Sequence, residues 1–95
     1  MSDLDPIFVN IPCPTKKEGI KLCGEMLKQD MCGTAKVQEN VHLMWMENGL
    51  QGSDIVLLSL KTTHGKLPQI NEYILKNHSW VTPCIEVVAI KNDMC

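Results

Sequence analysis

Arginine is absent from this 95-residue chain, whose nine basic residues are all lysines and face eleven acidic residues, for a formal net charge of −2. Domains that bind nucleic acid usually carry a basic surface and use arginine to contact phosphates and guanine. Aromatic residues are also scarce, at 4% of the chain. The composition therefore predicts that nucleic acid is not a partner.

Long apolar runs are missing as well. No segment approaches the roughly 20 residues that span a bilayer, so we expect no membrane association. Residues 1–6 are acidic and polar, unlike the start of a secretory signal, which predicts a cytoplasmic protein. The odd number of cysteines, without close spacing, favours free thiols in a reducing compartment. They are Cys13, Cys23, Cys32, Cys84 and Cys95.

The length predicts a single domain over residues 1–95. The 44% hydrophobic and 21% charged content is typical of a globular protein. A domain of this size buries only about 60–65% of the surface of its unfolded chain, so the core is expected to be thin. Oligomerisation is a common way to compensate.

The first third of the chain predicts a strand followed by a helix. Residues 7–11 form an apolar run that the two following prolines should end. Thr15 and Glu18 have the spacing of a capping box, in which the Glu18 side chain returns to the Thr15 amide. A helix of about four turns is expected to end near Gly33. Its predicted apolar positions are Ile20, Leu22, Cys23, Met26, Leu27 and Met31.

The middle of the chain predicts a long hairpin. Residues 37–46 alternate with a period of two, and Met44 and Met46 make the second face apolar near the end, which predicts that a neighbour covers it. Residues 47–49 and 52–54 have turn composition, and residues 55–60 suit a central strand buried on both faces. One face of the strand over residues 37–46 is expected to carry Val37, Val41, Leu43 and Trp45.

Pro68 fits the first turn of a second helix, and residues 84–90 suit a final strand. The order β-α-β-β-α-β predicts an α+β, ferredoxin-like fold, with a four-stranded antiparallel sheet and both helices on one face.

Several motifs, in this order and spacing, resemble the CutA divalent-cation-tolerance family over about residues 7–90. They are Cys13-Pro14, residues 31–35, residues 45–49, Leu60-Lys61-Thr62, residues 78–80 and Pro83-Cys84-Ile85. The resemblance implies a ferredoxin-like protomer in a compact homotrimer, linked to copper and other divalent ions, with an architecture similar to that of the PII signalling trimers. The chain departs from the family pattern at Thr34 (usually cysteine), Ser79 (proline), Trp80 (tyrosine), Cys84 (glutamate), and Asp54 or Ile55 (an acid).

Three residues are candidate metal ligands: Cys13, His78 and Cys84. Thiolate and imidazole both suit copper, and a helix N-terminus beside Cys13 would lower the pKa of its thiol. For both residues we favour a structural role over a ligand role: Cys13 as a buried residue that closes its strand, and His78 as a residue that closes the second helix. Strands one and four are expected at opposite edges of the sheet, so the two thiols would meet only across a subunit interface.

The predicted assembly surface consists of Met44, Trp45 and Met46, interpreted as packing residues rather than copper ligands. Two functions stay open. One is a trimeric, non-enzymatic protein that binds or responds to copper or another divalent metal ion. The other is a PII-like signalling or scaffold trimer that binds a small anion or a partner protein between subunits through Lys61 and Lys66. No catalytic motif is present in the sequence.

Overall fold

The computed structural model describes residues 2–91, and Cys95 lies outside them. The described chain forms a four-stranded antiparallel sheet in the order β2-β3-β1-β4, with two helices. This confirms the predicted ferredoxin-like α+β fold. The elements are β1 (Pro6–Cys13), α1 (Lys16–Lys28), β2 (Thr34–Met46), β3 (Leu50–Thr63), a 3-10 turn (His64–Lys66), α2 (Leu67–Asn77) and β4 (Glu86–Ala89).

Strands β1 and β4 are neighbours, so their expected placement at opposite edges is wrong. Ile7 pairs with Ala89 and Asn10 pairs with Glu86, which leaves β1 in the interior of the sheet. The final strand is also shorter than predicted. It begins at Glu86, so Cys84 lies in the preceding loop rather than in the ladder.

Pro12 continues β1 instead of ending it. Pro12 pairs with Leu57 on β3, while β4 pairs with β1 only as far as Asn10. In a strand the N–H and C=O of one residue point to the same side. The Pro12 carbonyl oxygen bonds to His78, away from β3, so the N–H that proline lacks would also face away from the β3 ladder.

Helix α1 begins as predicted but ends earlier. The Thr15 hydroxyl accepts a hydrogen bond from the Glu18 amide (3.2 Å). At the other end Asp30, with φ 59°, takes the left-handed position expected of Gly33. The Met31 amide then bonds to the Met26 carbonyl and the Asp30 amide to that of Leu27, which is the Schellman closure of a helix.

The buried face of α1 is narrower than the predicted apolar stripe. It consists of Gly19, Leu22, Cys23 and Met26. Ile20 and Leu27, both predicted as buried, are 52% and 41% exposed because they lie together on one flank of this face. Gly19 permits a close approach to the sheet, since a Cβ there would lie 2.7 Å from Leu58 Cδ2 and 3.2 Å from Cys13 Sγ.

The hydrophobic core lies between the helices and one face of the sheet. Both helices, β1 and β3 contribute to it. Its fully buried side chains are Ile7, Val9, Ile11, Cys13, Met26, Leu58, Leu60, Ile70 and Ile74. Asn77, the last residue of α2, is exposed.

A β-bulge divides β2 into two parts that present opposite faces. Val37 pairs with Leu58, whereas Val41 pairs with Ile55, so the register shifts between Gln38 and Val41. Paired residues share a face, and Leu58 and Ile55 are three positions apart on β3, so they lie on opposite faces. Val37 therefore does not share a face with Val41, Leu43 and Trp45, and that expectation is wrong.

Beyond the bulge, β2 and β3 continue together as a two-stranded arm. Residues 41–46 pair with residues 50–55, and β1 reaches along β3 only to Val56. Residues 52–54, predicted as a turn, are part of this arm, and the reversal occurs at Asn48 and Gly49, which both have positive φ. The arm contributes to the 41 Å length of a molecule that is 26 Å and 22 Å in the other directions.

Candidate functional sites at the helix junction and on the arm

His78 lies where α2 ends beside the end of β1, and its side chain is fully buried. Its Nε2 atom is 2.7 Å from the Pro12 carbonyl oxygen, and its Nδ1 atom is 2.9 Å from the Trp80 backbone nitrogen. A carbonyl only accepts and a backbone N–H only donates, so Nε2 carries the proton and Nδ1 is the acceptor. His78 is therefore a neutral imidazole with both nitrogens in use.

Glu18 connects the start of α1 to the loop after α2. Its Oε2 atom accepts hydrogen bonds from the Ser79 backbone nitrogen (3.1 Å) and from Ser79 Oγ (3.0 Å). The predicted return of this side chain to the Thr15 amide is wrong, because the carboxylate is engaged by Ser79 instead. The same Oε2 lies 3.7 Å from His78 Nδ1, but that nitrogen already accepts from Trp80.

The hydrogen bonds to Glu18 give a structural reason for serine at position 79, where the family pattern has proline. A proline in its place would offer neither the backbone N–H nor the hydroxyl that Glu18 accepts from. Trp80, the next departure, packs against His78 in a tilted arrangement, with 5.3 Å between the two ring centroids. The Glu18–Ser79 contact is not predictable from local sequence, since the two residues are 61 positions apart and the capping-box spacing gives Glu18 a local role.

Cys13 is fully buried, and its thiol donates to the Thr15 carbonyl oxygen (3.4 Å). Burial, with a smaller contribution from the nearby Glu18 charge, raises the pKa of the Cys13 thiol. The lowered pKa expected beside a helix N-terminus is therefore wrong. Burial likewise raises the pKa of Cys32, and raises that of Cys23 to about 12. All three are free thiols that favour the protonated form.

Cys84 differs from these three because its side chain is exposed. Within residues 2–91, no group of three or more His, Cys, Asp or Glu side chains is arranged to hold a metal ion. Inside one protomer, Cys13, His78 and Cys84 thus do not fit a metal centre, since one thiol is buried and protonated and the imidazole has no free nitrogen. A centre built from them stays a prediction that requires ligands from another subunit.

Lys61 and Lys66 line one cleft of ≈ 330 Å³, together with Asp30, Gly33 and Thr62 among others. Lys66 Nζ lies 3.7 Å from Asp30 Oδ2. The Thr62 hydroxyl donates to the Met31 carbonyl oxygen (2.7 Å) and fixes one wall. The structure therefore brings together the two lysines singled out for anion binding.

The predicted assembly residues all lie on the arm and are exposed. Met44 is 55% exposed, Trp45 42% and Met46 75%. Trp45 pairs with Gln51 and Met44 with Gly52, so the tryptophan and the two methionines occupy opposite faces of the arm. Trp45 shares its face with Leu43 and with the sheet surface that faces away from the helices.

His42 and Asp54 form a cross-strand pair on the face of the arm that carries the methionines. Asp54 Oδ1 lies 2.9 Å from His42 Nδ1, and both side chains are more than half exposed. The pairing of His42 with Asp54 is fixed by the hairpin register and not by any local motif.

Comparison with known proteins gives a consistent result. The family model described as CutA1 divalent ion tolerance protein matches residues 7–94. The divalent-cation tolerance protein CutA of Archaeoglobus fulgidus is 20% identical over 87 residues, which cover 92% of this chain and 85% of that protein. Its solved structure, described as periplasmic, aligns with TM-score 0.86 and 18% identity over 94% of this chain and 87% of that one.

Two further solved structures share the fold. CutA1 from Oryza sativa aligns with TM-score 0.87 and 22% identity over 96% of this chain and 84% of that one. CutA1 from Pyrococcus horikoshii aligns with TM-score 0.82 and 23% identity over 92% and 85%. Among the described residues, no helix is long and apolar enough to cross a membrane.

Proposed function

This chain belongs to the CutA1 divalent ion tolerance family, and from that membership we propose that it binds or responds to copper or another divalent metal ion as a homotrimer. The observation that carries the proposal is the family match over residues 7–94. The departures at Thr34 and Cys84 change the donor set, so the proposal concerns the function and not the transfer of any one family ligand.

Assembly is supported by the apolar side chains on the sheet face opposite the helices. Val88 pairs with Phe8 across this face and is 48% exposed, and Leu43 and Trp45 extend the same surface along the arm at 43% and 42%. Exposed apolar patches of this kind mark interaction surfaces. A second and third copy would cover this face and increase the apolar surface buried in the assembly, with the arm of one subunit packed against the next.

The assembly proposal is tested with Trp45→Lys, which places a charge on the face to be buried. Lys28→Glu serves as the control, since it changes an exposed charge on α1, on the other side of the sheet from this face. Sedimentation equilibrium should give a trimer for the wild-type chain and the control, and a smaller species for Trp45→Lys. A monomeric wild-type chain would refute the homotrimer.

Copper is proposed because the chain supplies thiol, imidazole and thioether groups, the donors that copper prefers. The exposed Cys84 thiol is available to ligands from a neighbouring subunit, whereas Cys13 and His78 would first have to leave their present hydrogen bonds. Equilibrium dialysis of the reduced protein against copper tests the proposal. Uptake no stronger than that of a simple cysteine peptide would refute it.

We also propose a binding role rather than catalysis. A nucleophilic cysteine needs thiolate character, yet burial raises the pKa of Cys13 and its thiol donates to a backbone carbonyl. His78 has no free nitrogen with which to act as its base.

The four free thiols among the described residues support a proposed reducing, cytoplasmic location. Detection of the protein only in a secreted fraction would contradict a cytoplasmic location.

The second candidate is a PII-like trimer that binds a small anion, and the cleft lined by Lys61 and Lys66 favours it. Any ligand that binds the native state raises the unfolding midpoint. A panel of phosphates and nucleotides should therefore shift the melting temperature of the wild-type protein and not that of Lys66→Gln. Unchanged midpoints across the panel would refute this candidate.

A further inference from the structure

One face of the arm carries a histidine and two methionines at alternate positions of β2. His42, Met44 and Met46 pair with Asp54, Gly52 and Leu50, and because side chains on a strand alternate, the three lie in a row on one face. The two methionines are 55% and 75% exposed. Apolar side chains with thioether sulfurs on a surface are not explained by packing within the protomer.

The imidazole of His42 is oriented by its carboxylate partner. Asp54 Oδ1 lies 2.9 Å from Nδ1, so the Nδ1–H tautomer donates to the carboxylate and leaves a lone pair on Nε2. Within the described residues Nε2 has no hydrogen-bond partner. Metal-binding histidines commonly hold their second nitrogen in this way, which fixes the ring and increases the basicity of the ligand.

Gly52 brings the free nitrogen next to the first thioether. A Cβ placed on Gly52 would lie 2.7 Å from His42 Nε2, so the ring occupies the space of the missing side chain. Gly52 is directly paired with Met44, and the Cβ positions of such a pair are about 4.5–5.5 Å apart. His42 Nε2 therefore lies over the position directly opposite Met44. Met46 lies two residues, about 7 Å, further along the same face of the strand.

We propose that His42 Nε2 and the Met44 and Met46 sulfurs form a binding site for a soft monovalent cation, Cu(I) or Ag(I). Thioethers select such ions, and hard or strongly hydrated divalent ions prefer oxygen. The site deepens the proposed metal response and depends on it for its biological meaning. It requires that assembly cover only the face of the arm that carries Leu43 and Trp45, and it therefore replaces the prediction that Met44 and Met46 belong to the assembly surface.

Silver, which has no redox chemistry here, is the probe. The full-length protein is labelled with carbon-13 at the methionine methyl groups, its accessible thiols are blocked with methyl methanethiosulfonate, and Ag(I) is titrated. The Met44 and Met46 methyl signals should move together, while those of the buried Met26 and Met31 stay in place. Met44→Leu and Met46→Leu, which keep the side-chain volume, assign the signals.

Substitutions distinguish the residues that bind the silver ion from those that only lie near it. His42→Gln and Met44→Leu should weaken silver binding at least about tenfold, and Asp54→Asn about 10–100-fold through the orientation of His42. The control His64→Gln should bind as the wild-type chain does. An unchanged circular dichroism spectrum verifies that each variant folds.

Two outcomes overturn the proposal, and they differ in their consequences. If the unblocked protein takes up metal but the Met44 and Met46 methyl signals do not move, this site is wrong and the proposed metal function stands on other ligands. If neither copper nor silver binds the unblocked protein, both proposals fail.

Discussion

His78 Nε2 donates a 2.7 Å hydrogen bond to the Pro12 carbonyl oxygen, and this contact joins the end of α2 to the end of β1. It satisfies a carbonyl that β4 is too short to reach. With Trp80 donating to Nδ1, the imidazole acts as a buried structural connector.

We expect His78→Ala to destabilise the protein by about 2–4 kcal/mol, because two buried hydrogen bonds are lost and a cavity remains. His64→Ala, at a partly exposed position in the 3-10 turn, is the control and should cost under about 1 kcal/mol. Urea unfolding of both variants measures the difference. Equal effects in the two variants would show that the junction does not depend on His78.

The Glu18–Ser79 contact predicts an energetic coupling between positions 61 residues apart. Glu18→Gln and Ser79→Ala each remove part of a charge-assisted pair of hydrogen bonds. A double-mutant cycle on the unfolding free energy should give a coupling of about 0.5–2 kcal/mol. Glu25→Gln with Ser79→Ala is the control cycle and should be additive. Additivity in both cycles would contradict the contact.

Cys23 predicts a loss of stability at alkaline pH. Burial raises the pKa of its thiol from the usual 9.0 to about 12 in the folded protein, so folding favours the protonated form. The stabilisation is complete below pH 9 and is lost as the pH rises toward 12. Unfolding free energies between pH 8 and 11 should fall, and they should fall less steeply in Cys23→Ala. Identical slopes would contradict a buried, protonated Cys23.

Asp30 predicts a stabilising substitution. Its φ of 59° is left-handed, a conformation that glycine adopts without strain. Asp30→Gly should raise the unfolding free energy by up to about 1 kcal/mol, although it removes the exposed contact with Lys66. Asp30→Ala removes the same carboxylate and retains a Cβ, so it should destabilise. Thermal unfolding of the two variants checks the direction of each change in stability. An Asp30→Ala variant more stable than the wild-type chain would contradict the prediction.

The element order was predictable because the relevant signals are local. The Thr15 cap, the turn residues Asn48 and Gly49, and Pro68 at the start of α2 each act within a few residues. Together with the apolar strands they define β-α-β-β-α-β, and chain connectivity then permits few sheet orders. The fold therefore followed from the sequence.

The errors arose where a distant contact or an inserted residue decides the geometry. The bulge at Asn40, whose φ is 62°, reverses the faces of β2 without changing the period-two pattern on either side. The spacing of Thr15 and Glu18 predicts a capping box, whereas in the structure the Glu18 carboxylate accepts two hydrogen bonds from Ser79. Pro12 is tolerated inside β1 only because β4 is short. None of these causes is visible in a window of neighbouring residues.

A native mass spectrum of the reduced protein during a copper titration tests at once whether the chain is a trimer and whether it binds copper. We expect a trimer whose copper uptake saturates at a multiple of three ions, since each protomer supplies equivalent ligands. A monomer, or a trimer that takes up no specific metal, would contradict this expectation.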